Sequence, residues 1–235
     1  MAEPSGPRRF WTEVHLNPVA DGFALSLDTR PVQTPAKRPL ILPTEALAEA
    51  IAEEWRGQGA HVVPTSMPLT RMANAAIDKV APAPMAVVEH LAAYGETDLL
   101  CHLAEGPEGL VERQRTGWGP VIAWAAETHA IRLHQTAGVM PLTQPAESLA
   151  NLRGVLAGRD AFALTAAYDL VTLSGSALLA LAVIDGFRSA EAAWGLSRLD
   201  EDWQIAEWGE DAEAAADAAA RRAAFLRAHQ VTTLL

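Results

Sequence analysis

The chain has 235 residues, half of them hydrophobic and a fifth charged, with a formal net charge of −11 and a pI near 5.0. That length allows a sizeable core, or a small domain followed by a larger one. The acidic balance argues against a nucleic-acid partner, which needs a basic stripe, and favours a neutral or locally basic one. One cysteine, Cys101, excludes an internal disulfide and a multi-cysteine zinc site. The N-terminal MAEPSGPRRF lacks the apolar segment of a secretory signal, and no apolar run reaches the ~18 residues of a membrane span. A cytoplasmic protein that does not insert into membranes is expected.

Phe10, Val14 and Leu16 alternate with Glu13 and His15, the pattern of a half-buried strand. A loop at Asn17, Pro18, Asp21 and Gly22 leads to a second alternating run with Phe23, Leu25 and Leu27, so a hairpin is predicted. Short strand-like pieces at 32–34 and 40–42 flank a basic, proline-rich loop containing Lys37 and Arg38. Thr44 then caps a helix with Leu47, Ile51 and Trp55 on one face, stopped by Gly57 and Gly59. Residues 61–63 return as a further strand. Residues 1–66 thus read as a β-rich antiparallel domain with one helix.

After Pro68 strand-like alternation ends and alanine rises. Helical stripes run through Leu69–Val80 and Met85–Leu91, and a helix is predicted over 108–126, kinked or split by Gly117, Gly119 and Pro120. A looser stretch, 129–145, contains a turn at Gly138, Val139, Met140 and Pro141. Helices follow at 146–156, 162–172, 176–184, 189–207 and 211–229, and the second of these domains, 67–235, reads as a bundle of about six to eight helices. SALLALAVI, at 176–184, is apolar all round and marks a central buried helix. The fold class is α+β: a small sheet domain, then a larger helical one.

Eight acids and no basic residue lie between positions 199 and 218, and Trp203 and Trp208 sit among them. Trp203 and Glu207 share a helical face, and Gly209 interrupts the pattern before Glu210 and Asp211. Acids at a helix start are favoured by the dipole, and charge runs are commonly solvated faces. The alternative is an acidic, aromatic-edged docking surface. Of the seven tryptophans, Trp203 and Trp208 are the expected exposed pair, whereas Trp55 reads as core.

Motifs of catalysis are missing. Cys101-His102 are adjacent in the chain and carry no catalytic-cysteine signature. Ser174-Gly175-Ser176 lacks the flanking glycines of a nucleophile elbow, and Ser176 reads as a helix cap. Neither a P-loop nor G-x-G-x-x-G is present, and the seven histidines are poorly spaced for metal, so no cofactor and no metal are expected.

The chain resembles the family of assembly chaperones specific for the α subunit of the F-type ATP synthase catalytic head. The resemblance is carried by LDTRPVQTP at 27–35, LPTEALA at 42–48 with Glu54-Trp55, and MPLTR at 67–71. It continues through Tyr94, TDLLC at 97–101, Arg113-Gln114, Trp118 and Trp124, residues 138–145, and Gly175-Ser176. It ends in Leu199-Asp200-Glu201, Trp203-Gln204 and Trp208-Gly209-Glu210-Asp211. Gly119 stands where an acid is expected. The resemblance implies a two-domain bacterial chaperone without catalysis, monomeric and cytoplasmic, with relatives in the mitochondrial matrix. Its partner would be the α subunit before assembly, whose apolar interface it shields. An acidic residue of the C-terminal domain is implied in binding: Glu210 first and Asp211 second, with Trp208, Trp203 and Glu207 supplying the surrounding surface and Lys37-Arg38 a second contact or interdomain packing. A competing reading is a small-molecule hydrolase using the carboxylates of 200–217, which needs two carboxyls facing across a cleft with separated pKa values. A third is an adaptor with another partner. A deep polar pocket with a converging acid and base would favour the hydrolase; a shallow acidic-aromatic surface, the chaperone.

Overall fold

The structure, a computed structural model, describes residues 6–138, 140 and 142–235. The turn expected around Gly138 therefore lies partly outside the described residues, at Val139 and Pro141. Two compact units form: the stretch to Ala83 with Asp160–Thr165 and Gln230–Leu235, and Pro84–Arg159 with Ala166–His229.

In the first unit, β1 (Val14–Val19) and β2 (Gly22–Leu27) pair antiparallel through the two-residue turn Ala20-Asp21. Gly22, at φ +137°, is needed there, because a Cβ would meet the Leu42 carbonyl oxygen at 2.2 Å. Pro18 is tolerated because β1 is an edge strand. β3 (Arg30–Pro31) and β4 (Ile41–Leu42) both pair with β2. The strand starts later than the alternation predicts. The Asp28 side chain accepts the amides of Thr12 and Glu13 at 3.0 and 2.8 Å, taking these two donors from the ladder while Glu13 O still accepts the Asp28 amide, and Trp11, not Phe10, is buried. These two backbone amides also lower the Asp28 carboxyl below its ordinary value.

Helix α1 (Glu45–Arg56) is capped as expected, Thr44 Oγ1 accepting from the Leu47 amide at 3.2 Å. Its Leu47 and Ile51 pack on β1 and β2 with Leu25 and Leu42, all buried. Trp55 is half-buried, its ring set edge-on to Trp11 with centroids 5.4 Å apart. The Glu54 carboxylate takes the amides of Leu69 and Thr70 at the start of α2 (Pro68–Ala75), which ends in a π turn, Ala76–Val80.

Among its described residues the second unit is helical, apart from β5 (His102–Leu103) paired in parallel with β6 (Thr136–Ala137), a pairing that the sequence pattern does not predict. α3 (Pro84–Ala92) packs on α5 (Ala146–Ala157). α4 (Glu108–His129) runs unbroken through the expected breakers. Pro120 and Thr116, whose carbonyl it leaves without a helical partner, both lie on the exposed face. Gly117 is a packing device: a Cβ there would come within 2.7 Å of Leu196 Cδ2.

α6 (Ala161–Ser174) leads to α7 (Ala177–Ile184), whose residues from Ala177 to Val183 are all buried. α7 is the expected central helix. The helix predicted over 189–207 is two, α8 (Ala190–Ser197) and α9 (Leu199–Trp208), parted at Arg198. α10 (Ala212–Leu234) completes the chain. The α+β class, a small antiparallel sheet region followed by mostly helical chain, is the one the sequence predicts.

Candidate functional site

α9 opens with acids in its first turn, Asp200, Glu201 and Asp202, and none of its residues is buried. Its anchorage comes from α4. Gln114 is fully buried and donates from Nε2 to Asp200 Oδ1 at 2.5 Å, while its own Oε1 accepts the Ala104 amide at 2.8 Å. Burial raises the Asp200 carboxyl above its ordinary value, with the Gln114 bond opposing and Glu201 adding to the rise. Asp202 is raised for the same first reason, with Arg198, 3.8 Å away, opposing. A glutamine in the middle of the four-residue-spaced stripe Leu110, Gln114, Trp118 is the signal that points to this link.

The two tryptophans part company. Trp203 turns inward: the Arg113 guanidinium lies 4.7 Å from its ring centroid, and a Cβ on Gly109 would meet its Cη2 at 2.9 Å. Trp208 ends the helix 80% exposed. Gly209 follows at φ +91°, a conformation that suits glycine, and its amide closes on Ile205 O at 2.9 Å. Glu207 and Glu210 are exposed beside Trp208. Asp211 has a local duty, because its Oδ1 accepts the amides of Glu213 and Ala214 at 3.0 and 2.9 Å and so caps α10.

Two hollows border α9. The smaller, about 360 Å³, is lined by Asp200, Glu201, Arg198 and Arg221 with Thr172, Ser174 and Ser197. Each of these three hydroxyls donates to a helix carbonyl: Tyr168 O, Leu170 O and Trp194 O. None is set up as a nucleophile. The larger, about 550 Å³, lies between α9 and α10 beside Trp208. Among the described residues no three His, Cys, Asp or Glu side chains gather as metal ligands would.

The other sequence candidates have local partners. Ser176 caps α7 through the Leu179 amide at 3.0 Å and donates to the buried Asp98 at 2.7 Å. Arg38 donates to Ile77 O at 2.7 Å, within the first unit, and Asp78 takes Thr34 Oγ1 and the Ala36 amide. Lys37 stands exposed at the tip with φ 62°. Cys101 is buried, and desolvation, helped by Asp98, pushes its thiol up to about 12. Its thiolate is therefore on the order of one part in ten thousand at pH 8. Labelling by a thiol reagent should be at least about a hundredfold slower in the native protein than in urea; equal rates would contradict the burial.

The model of the ATP12 chaperone protein matches residues 8–126. Atp12 from Paracoccus denitrificans is 50% identical, covers 97% of each chain and superposes with a TM-score of 0.94. The D202K mutant of that protein, 49% identical with the same coverage, also gives 0.94. The Agrobacterium tumefaciens protein Atu1473 is 40% identical over 97% of this chain and 85% of its own, with a TM-score of 0.90. The mitochondrial protein atp12 of Schizosaccharomyces pombe is 26% identical over 217 residues, 86% of this chain and 74% of that one. Among the described residues no helix is long and apolar enough to cross a membrane. The match of the family model to half of the chain, with a backbone and half of the residues shared with a solved member, leads to one conclusion: the chain belongs to the ATP12 family of ATP synthase assembly chaperones.

Proposed function

We propose that the protein binds the newly made α subunit of F-type ATP synthase before its β partner arrives, shields its apolar interface and releases it into the catalytic head. It acts as a monomer in the bacterial cytoplasm. The observation that carries this reading is Trp208, 80% exposed at the end of a helix with no buried residue and flanked by Glu207, Glu210 and Asp211. An indole held in water has no role in this chain's own core, and tryptophan is enriched among the residues that dominate interfaces. The acids around it steer a basic partner and set its orientation, while the indole supplies contact area. Trp203 supports the surface from beneath rather than presenting itself.

The test is capture of freshly translated α subunit. Asp211 caps α10, so its charge is removed as Asp211→Asn, which keeps the cap. The variant Glu210→Lys, Asp211→Asn should fold as the parent does and capture at least about tenfold less α subunit, with the loss narrowing at high salt. Undiminished capture would remove these two residues from the interface.

A further inference from the structure

We infer that the trough between α9 and the first half of α10 receives a single helix of the client: an amphipathic segment of about three to four turns, flanked by lysine or arginine. This rests on the reading of the protein as a chaperone of the α subunit and specifies how that subunit is held.

The trough is built ahead of any occupant. α9 has no buried residue, and in α10 the first is Phe225, so the thirteen residues 212–224 include none. A ten-residue helix such as α9, or a thirteen-residue stretch such as 212–224, is marginal in water without packing. Nine of those thirteen are alanine, the strongest helix former, so the segment stays helical with one side unfilled. The three-residue connection Gly209–Asp211 keeps the two helices neighbours, and a hollow of about 550 Å³ lies between them. Half-buried Ile205, Ala215 and Ala218 give it an apolar floor, and exposed Trp208 stands at its rim.

Charge selects the occupant. Glu201, Asp202, Glu210, Asp211 and Asp217 line the trough against two arginines, Arg198 and Arg222. Arg198 is already engaged by Glu201 at 3.4 Å and Asp202 at 3.8 Å. A cationic flank on the client meets the surplus of carboxylates, whereas an acidic or uncharged one does not.

Backbone chemistry selects a helix over a strand. No strand of the described residues borders the trough, so an extended segment would lay its amides and carbonyls against methyl groups and indole. Each such group left unpaired in a buried site is strongly disfavoured. A helix satisfies its backbone internally. Alanine on the floor also lets a second helix axis approach to the short end of the usual 8–10 Å range.

Peptides of about 20 residues tiling the α-subunit sequence supply the probe. Binding is read from Trp208 emission, with Trp208→Phe as the control that identifies the reporter, and conformation from far-ultraviolet circular dichroism. Peptides that bind should be basic and amphipathic, gain helix on binding, and lose at least about tenfold in affinity when proline is placed at their centre. Ala218→Phe fills the trough without touching the acids and should weaken both peptide binding and capture of the intact α subunit by about tenfold or more. Bound peptide that stays non-helical, proline variants that bind equally, or full capture by Ala218→Phe would overturn the helix while leaving the chaperone reading in place. A dimer of this chain that Ala218→Phe dissolves would assign the trough to a second copy and overturn it as well. Failure of the unaltered protein to capture the α subunit would instead overturn the reading on which this rests.

Discussion

Replacing Trp118 by alanine is expected to lower the unfolding free energy by about 3–5 kcal/mol. Trp118 is fully buried on the stripe of α4 that also carries Leu110, Gln114, Val121 and Ala125. Its indole Nε1 donates to the Leu196 carbonyl at 2.9 Å, tying α4 to the end of α8 just before the chain turns into α9. Alanine leaves a large cavity, and the Leu196 carbonyl loses its partner. The effect is amplified because α4 contains Gly117, Gly119 and Pro120, so its helicity depends on packing more than on propensity. Trp118→Phe refills most of the volume and should cost about 1–2 kcal/mol, mainly the lost hydrogen bond. Urea unfolding of the three proteins checks this; a loss under about 1 kcal/mol for Trp118→Ala would mean that α4 is held by something other than this stripe.

Asp98→Ala should cost about 2–4 kcal/mol. The carboxylate is completely buried and is the meeting point of three donors: Leu100 N at 3.1 Å, Ser176 Oγ at 2.7 Å and Leu178 N at 3.2 Å. It fixes the short helical turn Leu99–Cys101 to the start of α7, where the helix dipole favours negative charge. Asparagine keeps the volume and one accepting oxygen, so Asp98→Asn should recover part of the loss. Burial raises the Asp98 carboxyl above its ordinary value, outweighing the hydrogen bonds that lower it. With the folded-state value the higher one, the native protein binds the extra proton. The contribution of this group is then fullest below about pH 4 and declines as pH rises through the folded value. The stability gap between the parent and Asp98→Ala should accordingly narrow with rising pH; a gap that widens would reverse the assignment.

Much of this fold is legible in local pattern, and the exceptions have local causes. Thr44 before a four-residue apolar repeat, and Ser176 before SALLALAVI, announce α1 and α7 because caps and burial stripes are properties of a few adjacent residues. The continuity of α4 is not visible in the same way. Pro120 and Gly117 read as breakers until one sees that the proline faces solvent and the glycine makes room for Leu196. The parting of α8 from α9 at Arg198 leaves no mark in composition, because both halves are helix-forming. The pairing of His102 with Thr136 joins segments thirty-four positions apart, each too short to show a period.

At the site, the acids and both tryptophans stand out in the sequence, but not which indole faces water. That is decided by Gly109 and Arg113 on α4, nearly a hundred positions away, which receive Trp203 and leave Trp208 outside. The link from Gln114 to Asp200 is long-range in the same sense, although a polar residue on an apolar stripe hints that a partner awaits it.

The most direct measurement is affinity capture of the protein from cells assembling ATP synthase, with the bound chains identified and counted by mass spectrometry. The account predicts the α subunit in about equal amount, free of β, and its loss from the capture when Trp208 and Glu210 are replaced together. Recovery of the assembled α–β head, or of no α subunit at all, would contradict it.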